Sequence, residues 1–234
     1  MAMELYHPEW GAQRPIRGVL FDMDGLVLDS EVLYTRFWRE AARSLGYPMT
    51  VEQSLGMRSL GKKLGQPYLE SLFGPGIDYT TLRNKRIELM EAWVAVHGIP
   101  PKPGIHELLD YLERNGIPAA ITSSSPMESI QKHLAEVDLL HRFQKLCSGH
   151  DIPNGKPAPD IYLLGAKELG LKPEECLALE DSPTGILSAL RAGCLPVMVP
   201  DLDQPTEETK PLLYAKADSL SDIIHLINAQ NGHL

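Results

Sequence analysis

The chain has 234 residues, of which 43% are hydrophobic and 23% charged, a balance that suits a globular core with room for an insertion. A formal net charge of -9 argues against a broadly cationic face for nucleic acid or anionic membrane, and no apolar run approaches a membrane span. An anionic small molecule stays open, because a few local cations and a metal outweigh a weak overall field.

In chain order, residues 1–15, with Glu4, His7, Pro8 and Arg14, lack the apolar stretch of a signal peptide and read as a loose leader. Residues 16–21 form the first apolar segment that reads as a buried strand. From Glu31 to about Gly98 the rhythm changes. Leu33, Phe37, Ala41 and Leu45 repeat at helical spacing and no convincing buried strand follows, so this stretch is expected to be a helical insertion, a cap over the sheet's carboxyl edge. Pro100, Pro101 and Pro103 mark the return to the core.

Further short apolar strands are expected at 118–122, 143–147, 176–179 and 196–199. Between them Ile105, Leu108, Leu109 and Leu112 share a helical face before Gly116. Ile161, Leu164 and Leu169 do so before Gly170, and Ile186, Ala189 and Leu190 before Gly193. Helix, glycine and strand in repetition predict an α/β fold, a Rossmann-like doubly wound parallel sheet with a core of 1–28 and 100–234 and an α-helical cap of 29–99. Cys147, Cys176 and Cys194 have no metal-ligand spacing and read as buried reduced thiols, which predicts a cytoplasmic location.

Open parallel sheets place their sites beyond the carboxyl ends of the strands. Those ends carry Asp22 and Asp24, then Thr122 to Ser125, then the loop residue Lys156, then Glu180 and Asp181. Buried carboxylates need a partner, and a hard cation such as Mg²⁺ is a suitable one, with Asp22 and Asp181 the natural oxygen donors. Ser125, Pro126, Met127 and Glu128 have the pattern of a helix-capping box, and Ser182 before Pro183 that of a helix cap.

"FDMDGLVLDSE" at 21–31, "ITSSS" at 121–125, "GKPAPDIY" at 155–162 and "LEDSPTGI" at 179–186 resemble the ordered motifs of the haloacid dehalogenase superfamily. Within it the chain is most similar to β-phosphoglucomutase and the small sugar-phosphate phosphatases, whose cap is helical and follows the first motif. The resemblance implies an Mg²⁺-dependent phosphoric monoester hydrolase acting on a small phosphorylated metabolite through an aspartyl-phosphate. Asp22 would be the nucleophile and Asp24 the general acid and base, with its carbonyl on the metal beside Asp22, Asp181 and, directly or through water, Glu180. Ser123 and the amide of Ser124 would hold phosphate oxygens, and Lys156 would neutralise charge between nucleophile and phosphate. A phosphate contact near Ser125 is implied alongside its capping pattern, and both readings stay open.

The same resemblance points to cap cations that meet the substrate, at Arg58 in "LGMRSLG" and Lys85 in "LRNKRIEL", with Lys62 and Lys63 nearby. Where β-phosphoglucomutases carry a histidine this chain has Tyr34, which favours hydrolysis over the alternative, a phosphosugar mutase. A monomer or small homo-oligomer is expected.

Overall fold

The computed structural model describes residues 3–11, 15–57, 60 and 62–232. The chain divides into two compact units, Met1–Asp29 with Pro100–Leu234, and Ser30–Ile99.

The larger unit is built on a seven-stranded sheet of order β1-β7-β6-β5-β2-β3-β4. The strands are β1 (Glu4–Leu5), β2 (Gly18–Phe21), β3 (Ala119–Ser123), β4 (Lys145–Ser148), β5 (Cys176–Glu180), β6 (Leu195–Met198) and β7 (Ala215–Lys216). All neighbours are parallel except β1, which runs antiparallel to β7. Every residue of β2, β3, β5 and β6 is buried, which is why these segments read as continuous apolar runs rather than alternating ones. β4 lies at the edge, and its first residue is exposed.

Helices α6 (Ile105–Arg114), α7 (Met127–Glu136), α8 (Asp160–Glu168), α9 (Pro183–Ala192) and α10 (Asp222–Asn231) connect or cover the strands. One core layer joins Leu20, Ala120 and Ala178 of the sheet to Ile161, Tyr162 and Ala166 of α8 and Ala189 of α9, and holds all three cysteines as free buried thiols. Small residues allow this close approach. A side chain at Gly165 would collide with Thr122. The helix expected before Gly193 ends there, at φ 87°, a left-handed conformation that only glycine adopts without strain.

The leader is not loose. Glu4–Leu5 pairs with Ala215–Lys216, and a short helix α1 (Pro8–Gly11) follows, with the rings of His7 and Trp10 stacked 4.1 Å apart. A two-residue strand leaves too little periodicity to be seen in sequence.

The smaller unit contains α2 (Ser30–Ser44), α3 (Val51–Leu55), α4 (Lys62–Phe73) and α5 (Tyr79–His97), and no strand among its described residues. Its own core gathers Trp38, Ala41, Ala42, Met49, Met57, Leu69, Ile77, Tyr79 and Leu82. Thr50 closes a capping box with Gln53 at the start of α3, and Asp78 caps α5 by accepting from the Thr81 amide.

Candidate active site

β2 is the strand from which the chain winds first towards β4 and then, on its other side, from β5 towards β7. The crevice at such a reversal lies beyond the carboxyl ends of the two strands that meet there. Asp22 follows β2, and Glu180 and Asp181 end and follow β5, its hydrogen-bonded neighbour. One carboxylate oxygen from each of the three falls within 4.8 Å of the others, and all three residues are buried.

Lys156 enters from the loop before α8, after which the Lys156–Pro157 peptide is cis. Its Nζ lies 2.5 Å from Asp22 Oδ1 and 2.6 Å from Glu180 Oε1. Tyr162 adds a hydroxyl that donates to Glu180 Oε1 at 2.5 Å, and Ser182 Oγ donates to Glu180 Oε2 at 3.1 Å. Glu180 is fully buried with protein donors on both oxygens, and it shares Lys156 with Asp22. Gly185 is required beneath it, because any Cβ there would overlap the Glu180 carboxylate.

Burial pushes the Asp22 carboxyl up to about 7; Lys156 pulls it the other way, while the neighbouring Glu180 charge adds to the rise. The Lys156 ammonium is raised despite its burial, because Asp22 and Glu180 favour its charged form. Three buried carboxylates converge here, and among the described residues Lys156 is bonded to two of them. A divalent cation with a preference for hard oxygen donors fits this set, and Asp22 and Asp181 are the members best placed to hold it, since Glu180 is already engaged on both oxygens.

Asp24 sits in the turn after β2, where Gly25 takes φ 82°. Its Oδ2 accepts from Ser125 Oγ at 3.0 Å. Ser125 therefore does not cap α7. That helix has Pro126 at its N-cap and no side-chain cap bond, and the Ser125 hydroxyl is committed to Asp24. Ser123 is buried and its Oγ accepts from the Ser125 amide at 3.0 Å, which leaves its O–H to donate elsewhere. Ser148 Oγ donates to the Ser125 carbonyl at 2.8 Å and steadies the turn from the β4 side. Ser124 is exposed. Ser182 does cap its helix, accepting from the Gly185 amide at 3.2 Å, in addition to serving Glu180.

The residues from 16 to 193 match the family model of haloacid dehalogenase-like hydrolases. The chain belongs to that family. The hydrolase is 35% identical over 178 residues to hexitol phosphatase A of Escherichia coli, covering 76% of this chain and 80% of the relative. It is 30% identical over 178 residues to the phosphorylated carbohydrates phosphatase of Thermotoga maritima, covering 76% and 82%. Among solved structures it resembles a family hydrolase from Deinococcus radiodurans, crystallised with bound phosphate and sodium. The TM-score is 0.79 at 25% identity, covering 95% of this chain and 99% of that one. This chain is accordingly an enzyme, a phosphatase of the phosphoric monoester hydrolase class.

The expected cap cations fall differently. Arg58 lies outside the described residues. Lys85 is partly exposed and pairs with Glu88 at 2.7 Å, while Lys62 and Lys63 are exposed. The neighbour of Lys85 is the unusual residue. Arg86 is 9% exposed, its Cζ lies 4.8 Å from the Tyr34 ring centroid and 5.1 Å from that of Trp38, and its Nε is buried without a partner. The pattern i, i+4 from Leu82 to Arg86 to Met90 put it on the buried face of α5, a signal that the sequence carried and that a search for exposed cations passes over. No helix among the described residues is long and apolar enough to cross a membrane.

Proposed function

We propose that the hydrolase is an Mg²⁺-dependent phosphatase that cleaves a small phosphorylated metabolite, a sugar or sugar-alcohol phosphate, through an aspartyl-phosphate on Asp22. The observation that carries the reading is the trio of buried carboxylates at the ends of β2 and β5 with Lys156 lodged between two of them. In such a site Asp22 forms its bond to phosphorus as the bond from phosphorus to the leaving oxygen breaks, and Asp24 supplies the proton to that oxygen. Asp24 then accepts a proton from water, which attacks phosphorus and releases Asp22 with inorganic phosphate. Ser125 holds Asp24 in place, and the free O–H of Ser123 is available to a phosphate oxygen. Mg²⁺ held by Asp22, Asp181 and the Asp24 carbonyl would neutralise charge on the phosphoryl oxygens.

The substrate class rests on the relatives, named for hexitol and carbohydrate phosphates. The test is phosphate release from a panel of hexose, pentose, hexitol and nucleoside phosphates, with p-nitrophenyl phosphate as reference, with and without Mg²⁺. Turnover that survives exhaustive chelation would remove the metal from this reading. With β-glucose 1-phosphate and a trace of bisphosphate, free phosphate should form faster than glucose 6-phosphate, and the reverse order would establish a mutase.

A further inference from the structure

The chain leaves the larger unit through residues 26–29 and returns through 100–102, and the two crossings form a narrow ribbon. Asp29 N donates to the Pro100 carbonyl at 2.8 Å, Lys102 N donates to the Val27 carbonyl at 2.9 Å, and Leu28 bridges Pro101 in antiparallel register. This ribbon is tied to the turn that bears Asp24. The Met23 carbonyl accepts from both Val27 N and Leu28 N at 3.0 Å, and Gly25 N donates to the Leu28 carbonyl at 2.9 Å. Leu26, Val27 and Leu28 are buried, so core packing already holds the first crossing, but packing alone does not fix the two crossings against the strands beyond β2.

The Lys102 side chain adds a polar tie to that packing. Its Nζ reaches Asp29 Oδ1 at 3.0 Å and Asp201 Oδ1 at 2.6 Å. Asp201 lies past the end of β6, so the lysine fastens the ribbon to a different part of the sheet. The Asp201 side chain is 9% exposed and its Oδ2 is buried with no hydrogen-bond partner. Lys102 is the cation placed against Asp201, and removing the lysine would take away that ion-pair partner.

We propose that Lys102 is a positioning residue of this phosphatase. Shared between Asp29 and Asp201, its ammonium fixes the two crossings and, through their backbone bonds, the turn that aims Asp24. No charge of Lys102 touches the reacting atoms in this scheme. It acts through the placement of the acid and base, so it rests on the function proposed above for Asp24.

Two readouts test it, one of them independent of activity. Lys102→Met keeps the length of the stem and removes the charge, while Asp201→Asn keeps the shape of the partner. In both, amide exchange across 23–29 and 100–102 should rise several-fold. With p-nitrophenyl phosphate and Mg²⁺, kcat should fall on the order of tenfold or more while KM changes little, because misplacement penalises the chemical step rather than capture. Lys102→Arg should restore most of both. Should Lys102→Met not fold, Asp201→Asn decides alone. Unchanged exchange protection, or a kcat within twofold of the wild type, overturns the proposal. If the wild-type enzyme fails to hydrolyse the ester, the functional reading falls instead, and the exchange measurement still decides whether the clamp exists.

Discussion

In the parallel-sheet unit a buried ammonium, Lys156, lies within 2.6 Å of two carboxylates, and the nearer of these at 2.5 Å is the proposed nucleophile. In the helical unit a buried guanidinium, Arg86, lies between the rings of Tyr34 and Trp38, and no carboxylate among the described residues pairs with it. The first charge is neutralised where it stands, so it contributes to the fold that presents it. The second meets ring faces, each contributing on the order of 0.5–2 kcal/mol, and hydrogen-bonds to Tyr34 and Met90 Sδ, against a desolvation cost of several kcal/mol that also lowers its pKa. A buried charge with no carboxylate beside it among the described residues is a candidate for work, and one paired with carboxylates is a candidate for architecture. Lys156 has a claim to both roles.

The largest expected effect comes from breaking the sheet-unit arrangement at its reactive end. Asp22→Asn should lower turnover by about 10⁴-fold or more and abolish the phosphoenzyme trapped by acid quench, with Glu180 still holding Lys156 and the fold retained. Near-normal turnover would refute a covalent route through Asp22.

Glu180→Ala comes next. It strips Lys156 and the Tyr162 hydroxyl of a shared acceptor inside the core. Denaturant unfolding should register a loss of about 3–5 kcal/mol. A loss below about 1 kcal/mol would mean that Lys156 is adequately served by Asp22 alone.

A third expectation concerns pH. The Asp22 carboxyl is raised in the folded state to about 7 from 3.8, so the folded chain binds more protons than the unfolded one between those values. Stability of the metal-free protein should therefore fall as pH rises through that window and level off above about 7. Millimolar Mg²⁺ should flatten the slope if it takes the proton's place. Thermal melts at pH 5 and 8, with and without metal, check both the sign and the compensation.

The smallest effects are expected in the helical unit. Arg86→Met should change stability by no more than about 1 kcal/mol, in either direction, because the relief of its desolvation cost offsets the lost ring and Tyr34 contacts. Lys85→Ala, which breaks an i,i+3 pair with exposed Glu88, should cost no more than about 0.5 kcal/mol. A loss of 3 kcal/mol in Arg86→Met would place Arg86 with Lys156, as a charge that the fold relies upon.

What the sequence determined by itself was whatever local spacing encodes. The buried strands at β2, β3, β5 and β6 were readable because strands covered on both faces are apolar throughout, and the helices between them because leucine and isoleucine repeat at helical spacing before a glycine. Asp22, Glu180 and Asp181 stood out because a carboxylate at the end of such a run is chemically conspicuous. Tertiary structure alone decided how those residues are used. Ser125 read equally as a helix cap or a phosphate contact, and its hydroxyl donates to Asp24, 101 positions away. Tyr162 belongs to a helix and reaches Glu180, 18 positions on. Lys102 joins Asp29 and Asp201 across 73 and 99 positions, and the first residues of the chain close the sheet's far edge through β7. A side chain's propensity depends on neighbours a few residues away, whereas its hydrogen-bond partner is whichever group the packed chain brings within about 3 Å. That is a property of the fold, and no local pattern records it.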